Sequence, residues 1–427
     1  MSEGLPTLDR VSRRNILKSA ALKSAALAAP AYVPSMAAAD PVTVGVVGTG
    51  GRGTYLMERL YAGNGAGVRI LSVCDTYSGN LNRAKDRVQT IGRNTPTTHL
   101  DYQEVLANRD IRVVIIATPE HLHHRMTLDA IKAGKHIYIE KPLAHTIEEG
   151  EEILRAAKGA NLKIQVGTQN RSNSLYGTAK QWISQGMIGE CHYVRAFWYR
   201  NALAGGAPAW RYAIPKDASP QNTDWNRFLG PAPKRNFDTQ RYYQWRLYWD
   251  YSGGISTDLL VHQTDITNFV LGKTVPSSCM ASGGVYRWTD PNDDREVPDT
   301  FSALYEYADK FHLNYSCYFG NDNYGYGEQF CGNDGTVEVL NRTILSYTPQ
   351  KHVTVRKEVK IELAGNDNLA VEAHLRNLIE AVHGKAQLVA PVEVGQQAAI
   401  SGHMATLSFR NSKKILWDEK ARKYNFA

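Results

Sequence analysis

Cysteine is scarce in this chain. Cys74, Cys191, Cys279, Cys317 and Cys331 are the only five in 427 residues, odd in number and scattered. No Cys-x-x-Cys occurs and no His stands at a zinc spacing from any of them, which argues against a disulfide framework and a structural metal. The five are expected to be small buried hydrophobes. A block of Lys or Arg is also missing. Of the formal net charge of +7, residues 1–39 contribute +3, leaving +4 for the rest. So small an excess points neither to a nucleic-acid partner nor to a membrane surface. No uninterrupted apolar run reaches the roughly 20 residues of a spanning helix, so no stable membrane insertion is expected. No low-complexity linker follows residue 40. What remains is a long globular chain with apolar residues for two cores or more.

Residues 1–39 read as an address rather than as structure. Ser12-Arg13-Arg14-Asn15-Ile16-Leu17-Lys18 sets adjacent arginines ahead of an Ala-rich run that Lys18 and Lys23 interrupt and Ala37-Ala38-Ala39 ends. The segment resembles a twin-arginine export signal, implying cleavage near Ala39 and a soluble periplasmic protein.

After it, the β-branched run Val42 to Val47 leads into Gly48-Thr49-Gly50-Gly51-Arg52-Gly53 and a helical pattern from Thr54 to Tyr61. This is G-x-G-x-x-G between a strand and a helix: Gly48 for the tight turn, Gly50 for close approach of a pyrophosphate, Gly53 for helix–strand packing. A second strand, Val68 to Cys74, ends at Asp75, about 20 residues on, where a carboxylate grips a ribose diol. With no Arg or Lys directly after Asp75, NAD is expected rather than NADP. Val113 to Thr118 reads as a parallel strand covered on both faces and stopped by Pro119. His121, His123 and His124 follow without a carboxylate or Cys at a ligand spacing, so no metal is expected. A helix ends near Ala133, capped by Gly134. The short strand from Lys135 then delivers Glu140, Lys141 and Pro142 to the carboxyl end of the sheet, where open α/β sheets bind ligands. Thr146-Ile147-Glu148-Glu149 is a capping box, and Leu162 to Val166 is the last strand of this first domain, residues 40–166.

These motifs, with Thr118-Pro119, His123 and the Ala133-Gly134-Lys135-His136 lead into Glu140-Lys141-Pro142, resemble the Gfo/Idh/MocA family of sugar and polyol oxidoreductases. A second signature lies at Gly253-Gly254-Ile255-Ser256-Thr257-Asp258-Leu259-Leu260-Val261-His262-Gln263-Thr264-Asp265. Read on a helix, Asp258, His262 and Asp265 fall one above another, beside an apolar line of Leu259, Ile266 and Val270. By spacing alone this is equally a surface ion pair on an amphipathic helix. The resemblance implies that Lys141, Asp258 and His262 form the catalytic set. His262 would take the hydroxyl proton, Lys141 would stabilise the forming alkoxide, and Asp258 would orient and charge-balance His262. It further implies Gly48, Thr49, Gly50, Gly51, Arg52, Gly53, Asp75, Thr118, Pro119, His123, Glu140, Lys141 and Gln169 as cofactor-binding positions.

Between the signatures the chain is aromatic, with Arg200, Arg211, Arg241 and Arg246 interleaved among Trp and Tyr. Aromatic faces suit the C–H faces of sugar rings and arginines suit hydroxyls; packing of a long insertion explains the same rings equally well. Arg171, Trp225, Arg246 and Tyr251 are the substrate-side candidates, with Asp258 and His262. From Met280 onward alternating segments, among them Phe301 to Tyr307, Lys310 to Tyr318 and Gly335 to Leu340, read as an antiparallel sheet with one polar face. The expected fold is α/β: a Rossmann NAD-binding domain (40–166), then an α+β domain (167–427) with a large open antiparallel sheet. That sheet would serve association into a homodimer or homotetramer. The expected activity is hydride transfer between bound NAD and a sugar or polyol. A glycosidase using bound NAD for transient oxidation and elimination is the alternative, as is a non-catalytic nucleotide or sugar binder.

Overall fold

The computed structural model describes residues 40–202, 207–364 and 368–427; the export signal expected in residues 1–39 lies outside the described residues. Six parallel strands open the fold. They are β1 (Val42–Val47), β2 (Val68–Cys74), β3 (Thr97–His99), β4 (Val113–Ile116), β5 (His136–Ile139) and β6 (Ile164–Val166), in the order β3-β2-β1-β4-β5-β6. The strand order reverses between β1 and β4, and a doubly wound sheet binds ligands at that crevice. Crossover helices α1 (Gly51–Asn64), α2 (Ser78–Gly92), α3 (Tyr102–Ala107), α4 (His123–Lys132) and α5 (Ile147–Ala157) connect them. The local signals act as the sequence suggests. Asp101 accepts from the Gln103 backbone N–H at the start of α3, Thr146 and Glu149 form a full capping box on α5, and Gly134 (φ 71°) follows α4. Val113 to Ile116 are all buried, as a strand covered on both faces must be.

After β6 come α6 (Ser174–Ser184) and β7 (Cys191–Asn201), then the insertion with two one-turn helices, α7 (Trp225–Leu229) and α8 (Thr239–Tyr243). A π-helical turn, Ser256–Leu260, runs straight into α9 (Val261–Leu271). Strands β8 (Ser278–Gly284), β9 (Thr300–Tyr307), β10 (Phe311–Tyr318), β11 (Gly320–Gly332), β12 (Gly335–Leu340), β13 (Ile344–Pro349) and β14 (Val359–Glu362) follow. Helices α10 (Asn368–Val382) and α11 (Val392–Asn411) and strands β15 (Ile415–Asp418) and β16 (Lys423–Phe426) close the chain. The second sheet has ten strands in the order β14-β13-β12-β11-β7-β10-β9-β8-β15-β16. It is antiparallel except where β10 runs parallel to β7. Its strict alternation, Phe301, Ala303, Tyr305 and Tyr307 in against Ser302, Leu304 and Glu306 out, buries one face only.

Two features depart from the sequence reading. Helix α9 is buried along nearly its whole length, polar residues included, and not amphipathic. The last two helices do not stay with the second sheet alone, although Ile400, Met404 and Ala405 of α11 pack into its core. Val371, Leu375 and Leu378 of α10 pack with Leu56 and Leu60 of α1 over one face of the parallel sheet, while Val392 and Ala399 of α11 join Ile153 and Val166 on the other. Residues 41–427 therefore form one compact unit. Burial of these apolar faces, on the order of 25 cal/mol per Å², ties the two C-terminal helices to the nucleotide domain.

Candidate active site

The glycine turn is built by close packing. Gly48 has φ 83°, and a Cβ there would stand 2.7 Å from the Ala117 backbone. At Gly53 a Cβ would lie 1.9 Å from the Gly48 carbonyl oxygen, so only glycine lets α1 approach the turn. Gly51 faces open space, a Cβ at Gly50 would make only ordinary contact with Asn80 Nδ2 at 3.7 Å, and the first turn of α1 contains no acidic residue. The helix N-terminus thus presents unobstructed N–H groups and positive dipole to the cleft, as an anionic pyrophosphate requires. Thr49 lies buried behind the turn.

Asp75, at the end of β2, lines the same cleft but is also an internal anchor. Its Oδ2 accepts from the Thr49 backbone N–H (2.8 Å) and from Asn80 Nδ2 (3.1 Å), and its Oδ1 from the Tyr77 backbone N–H (2.9 Å) and the Tyr242 hydroxyl (3.2 Å). Burial raises its pKa, and these four donors oppose the rise. A ribose diol at this carboxylate would replace Asn80 or Tyr242. The insertion covers this end of the cleft: Thr223 bridges Tyr77, and the Asp224 backbone N–H donates to the Thr76 carbonyl at 2.7 Å.

Across the switch point, Thr118, Pro119 and the end of β5 form the middle of the cleft. Arg52 donates to Glu140 through Nε at 2.8 Å and to Gln169 through Nη2 at 3.4 Å, and the Tyr138 hydroxyl also donates to Glu140. This lattice fixes the backbone from which Lys141 projects. His123 lines the cleft, but both its ring nitrogens are engaged, with the carbonyls of Pro142 (2.8 Å) and Thr118 (2.9 Å). Its role here is to clamp two turns together rather than to offer a group to the cofactor. His121 and His124 turn to Phe228 and Glu152.

Lys141 Nζ donates to the Asp258 carbonyl at 2.6 Å and to Asp258 Oδ1 at 2.8 Å, and Arg246 Nε approaches the same oxygen at 3.3 Å. Burial would raise the Asp258 pKa, but Lys141 and Arg246 reverse this and hold it well below the usual carboxylate range. The expected Asp258–His262 pairing is therefore corrected: Asp258 serves two cations. The π turn at 256–260 changes the pitch where an α-helix would stack the two side chains, a distortion frequent at functional sites. His262 is buried, and its Nδ1 has no partner among the described residues. Burial first, then Lys141 and Arg342, pull its pKa well below the ordinary 6.5, with Asp258 opposing. It is a neutral imidazole at neutral pH. Asp265 points elsewhere and accepts from Arg171 Nε at 2.8 Å.

Three substrate-side candidates stand outside the cleft lining. Arg171 is taken by Asp265, Trp225 is buried with its indole N–H on the Arg235 carbonyl, and Tyr251 packs against Phe228 and His121. Arg246 does line it, with Tyr212 and Trp245 beside its guanidinium. Of the aromatic run, β7 brings Trp198 and Arg200 to the cleft, though neither was among the substrate-side candidates, and Arg342, which the sequence reading did not single out, lies 4.9 Å over the Trp198 ring. The alternation of β7 was the available signal for the first two; an isolated Arg in a turn gives none.

The cleft, about 1290 Å³, exceeds the range of ordinary small-ligand pockets and has room for a dinucleotide and a sugar ring. A glycine turn and helix N-terminus at one end and a lysine with a neutral imidazole at the other fit a nucleotide cofactor placed beside acid–base groups. The comparisons with known proteins agree. Residues 42–168 match the oxidoreductase family, NAD-binding Rossmann fold, and residues 232–416 match the same family's C-terminal alpha/beta domain, so the chain belongs to the Gfo/Idh/MocA oxidoreductase family. Among solved structures, it resembles a levoglucosan dehydrogenase in complex with NADH and levoglucosan (TM-score 0.68, 18% identity, 88% of this chain and 99% of that one). A putative myo-inositol dehydrogenase from Sinorhizobium meliloti 1021 gives TM-score 0.63 and 20% identity over 88% and 99%. At these identities the likeness is one of fold. Curated relatives include a glycosyl hydrolase family 109 protein of Shewanella baltica, 30% identical over 211 residues (43% of this chain, 45% of the relative). An alpha-N-acetylgalactosaminidase of Shewanella oneidensis is 32% identical over 159 residues (35% and 33%). The chain thus spans less than half the length of the curated relatives it matches.

Proposed function

We propose that the protein oxidises or reduces a hydroxyl-bearing carbon of a sugar or polyol with NAD held in this cleft. The observation that carries the reading is the convergence of Lys141, Asp258 and His262 at one end of a cleft whose other end is the glycine turn. NAD, when bound, supplies the hydride acceptor, or as NADH the donor. For oxidation, neutral His262 accepts the hydroxyl proton while Lys141 Nζ donates to the oxygen as negative charge develops on it. Asp258 keeps Lys141 oriented, and Tyr212 and Trp245 supply faces for the ring. The test is a sugar and polyol screen followed by nicotinamide absorbance; absence of any redox change across the panel refutes the reading.

The curated relatives favour a second reading, a glycosidase that uses bound NAD for transient oxidation and elimination. Release of the aglycone from aryl glycosides, without net NADH accumulation, decides for it.

We also propose export by the twin-arginine route with NAD already bound, on the strength of Arg13-Arg14 and of the insertion covering the Asp75 end of the cleft. Protein isolated from the periplasm should carry near-stoichiometric NAD(H); a stable apoprotein there refutes it. Self-association through the open face of the ten-stranded sheet belongs with this reading. Met280 and Leu304, cross-strand partners, are exposed on that face with Leu416. Sedimentation of wild type and Leu304→Lys tests it, and an unchanged oligomer refutes it.

A further inference from the structure

The reacting end of the cleft carries more positive charge than its carboxylates balance. Of the four arginines interleaved with the aromatic run, Arg211 is neutralised by Asp293 and Asp294, and Arg241 by Glu296 and Asp250. Arg246 shares Asp258 with Lys141. The other carboxylate here, Glu120, is turned away and accepts from the Gly253 backbone N–H (2.7 Å) and the Thr257 hydroxyl (3.1 Å). Arg200 has neither an ion pair nor a hydrogen-bond acceptor among the described residues. It is held only through ring faces, 5.3 Å from the Trp198 centroid and 5.9 Å from Phe319.

Its placement follows from the strand. In β7, Trp198 and Arg200 are two residues apart and so share one face, the inner face that α9 covers. The Trp198 ring lies 6.3 Å from the His262 ring, centroid to centroid, and Trp198, Arg200 and His262 all line the cleft. A guanidinium with its donor fork unused, steadied by aromatic faces in a partly desolvated cleft, is built to receive a planar oxyanion in two parallel hydrogen bonds. Arg246, whose Nη groups remain available beside Trp245, adds to the same field.

We propose that Arg200 clamps an anionic group of the substrate across Trp198, so that the sugar this site takes is a sugar acid or another oxyanion-bearing sugar rather than a neutral one. The inference rests on the reading of the cleft as a sugar-oxidising site, and it adds a specificity-determining residue to that reading. A neutral ring leaves the Arg200 fork facing carbon and hydroxyls and gives up the charge-assisted bonds. At the His262 ring burial is the main influence lowering the pKa, and Lys141 and Arg342 add to it against Asp258.

The NAD-loaded protein is assayed with D-glucuronate against D-glucose, D-galacturonate against D-galactose, and glucose 6-sulfate, in wild type, Arg200→Gln and Arg200→Lys. Binding of each sugar is measured in parallel by calorimetry, which needs no turnover. The expected result is preference for a charged member by roughly 10- to 100-fold, the value of a charge-assisted pair. Arg200→Gln abolishes the preference mainly through KM, and Arg200→Lys restores part of it. Whether glucuronate or the sulfate ester is favoured identifies the oxyanion, and either supports the clamp. Preference for the neutral sugars, a preference that survives Arg200→Gln, or no binding of any charged member overturns it. Binding of the acid that depends on Arg200 but gives no turnover keeps the clamp and sinks the hydride-transfer reading.

Discussion

Replacing Lys141 by Met removes one charge while keeping an unbranched chain of similar length, and the structure sets three separate consequences. The first is catalytic. Lys141 is the donor placed for the developing alkoxide, and loss of one such donor costs about 10²- to 10³-fold in kcat, or roughly 3–4 kcal/mol. The second concerns stability. Removing one partner of a buried pair costs about 3–5 kcal/mol. Here Arg246 remains 3.3 Å from Asp258, so the loss should fall below that range and below that of Asp258→Ala, which strands two cations. The third is the pH profile. Lys141 is the leading charge that depresses the His262 pKa, while Asp258 opposes it. Without Lys141 the imidazole pKa rises, while burial, Arg342 and Arg52 still hold it below its ordinary value. The active form is the neutral base, so activity is lost as pH falls through its pKa. Residual turnover of the variant should therefore show its acid limb at higher pH than the wild type does. Single-turnover rates from pH 5 to 9, with bound NAD quantified in the same samples, give all the needed readings. Near-wild-type turnover, or an unchanged acid limb with NAD retained, would refute this account of the site.

Three further outcomes follow from individual contacts. Gly53→Ala places a Cβ 1.9 Å from the Gly48 oxygen, so α1 must shift; NAD content should fall, with a stability loss of roughly 1–3 kcal/mol, and calorimetry with cofactor extraction checks both. Asp75→Ser removes the acceptor for two backbone N–H groups and a carboxylate that repels a 2′-phosphate; NAD affinity should drop at least about tenfold while NADP binding improves relative to it, read by titration. Glu328 is buried with one hydrogen bond, from Tyr176, and burial lifts its pKa to about 7 against weaker opposition from that bond and from Arg342. A carboxyl raised in the fold stabilises it below the unfolded pKa, about 4.3, and that stability is lost as pH rises to about 7, amounting to about 3 kcal/mol. Glu328→Gln should gain thermal stability over wild type at pH 8 but not at pH 4; an equal difference at both would contradict it.

The local code for the nucleotide domain was legible because its constraints are short in range. A tight turn needs glycine at Gly48, helix–strand contact needs glycine at Gly53, Thr146 and Glu149 cap a helix within four residues, and alternation in Phe301–Tyr307 states which face is buried. The motif around Lys141 and the downstream signature carrying His262 could be named for the same reason. What spacing could not supply was the partner of each side chain. Asp258 sits four residues from His262, yet a π turn and a lysine 117 residues away decide that it serves Lys141 and Arg246. Arg171 and Tyr251 look like pocket residues in the sequence and are spent on Asp265 and on ring packing. Arg200 and Arg342 look like any surface arginine until β7 and a turn after β12 bring both to Trp198. Periodicity fixes which face a residue takes, because that is set by its own backbone. Which charge it meets is set by elements folded across hundreds of residues, and electrostatics in a desolvated cleft depends on that meeting alone.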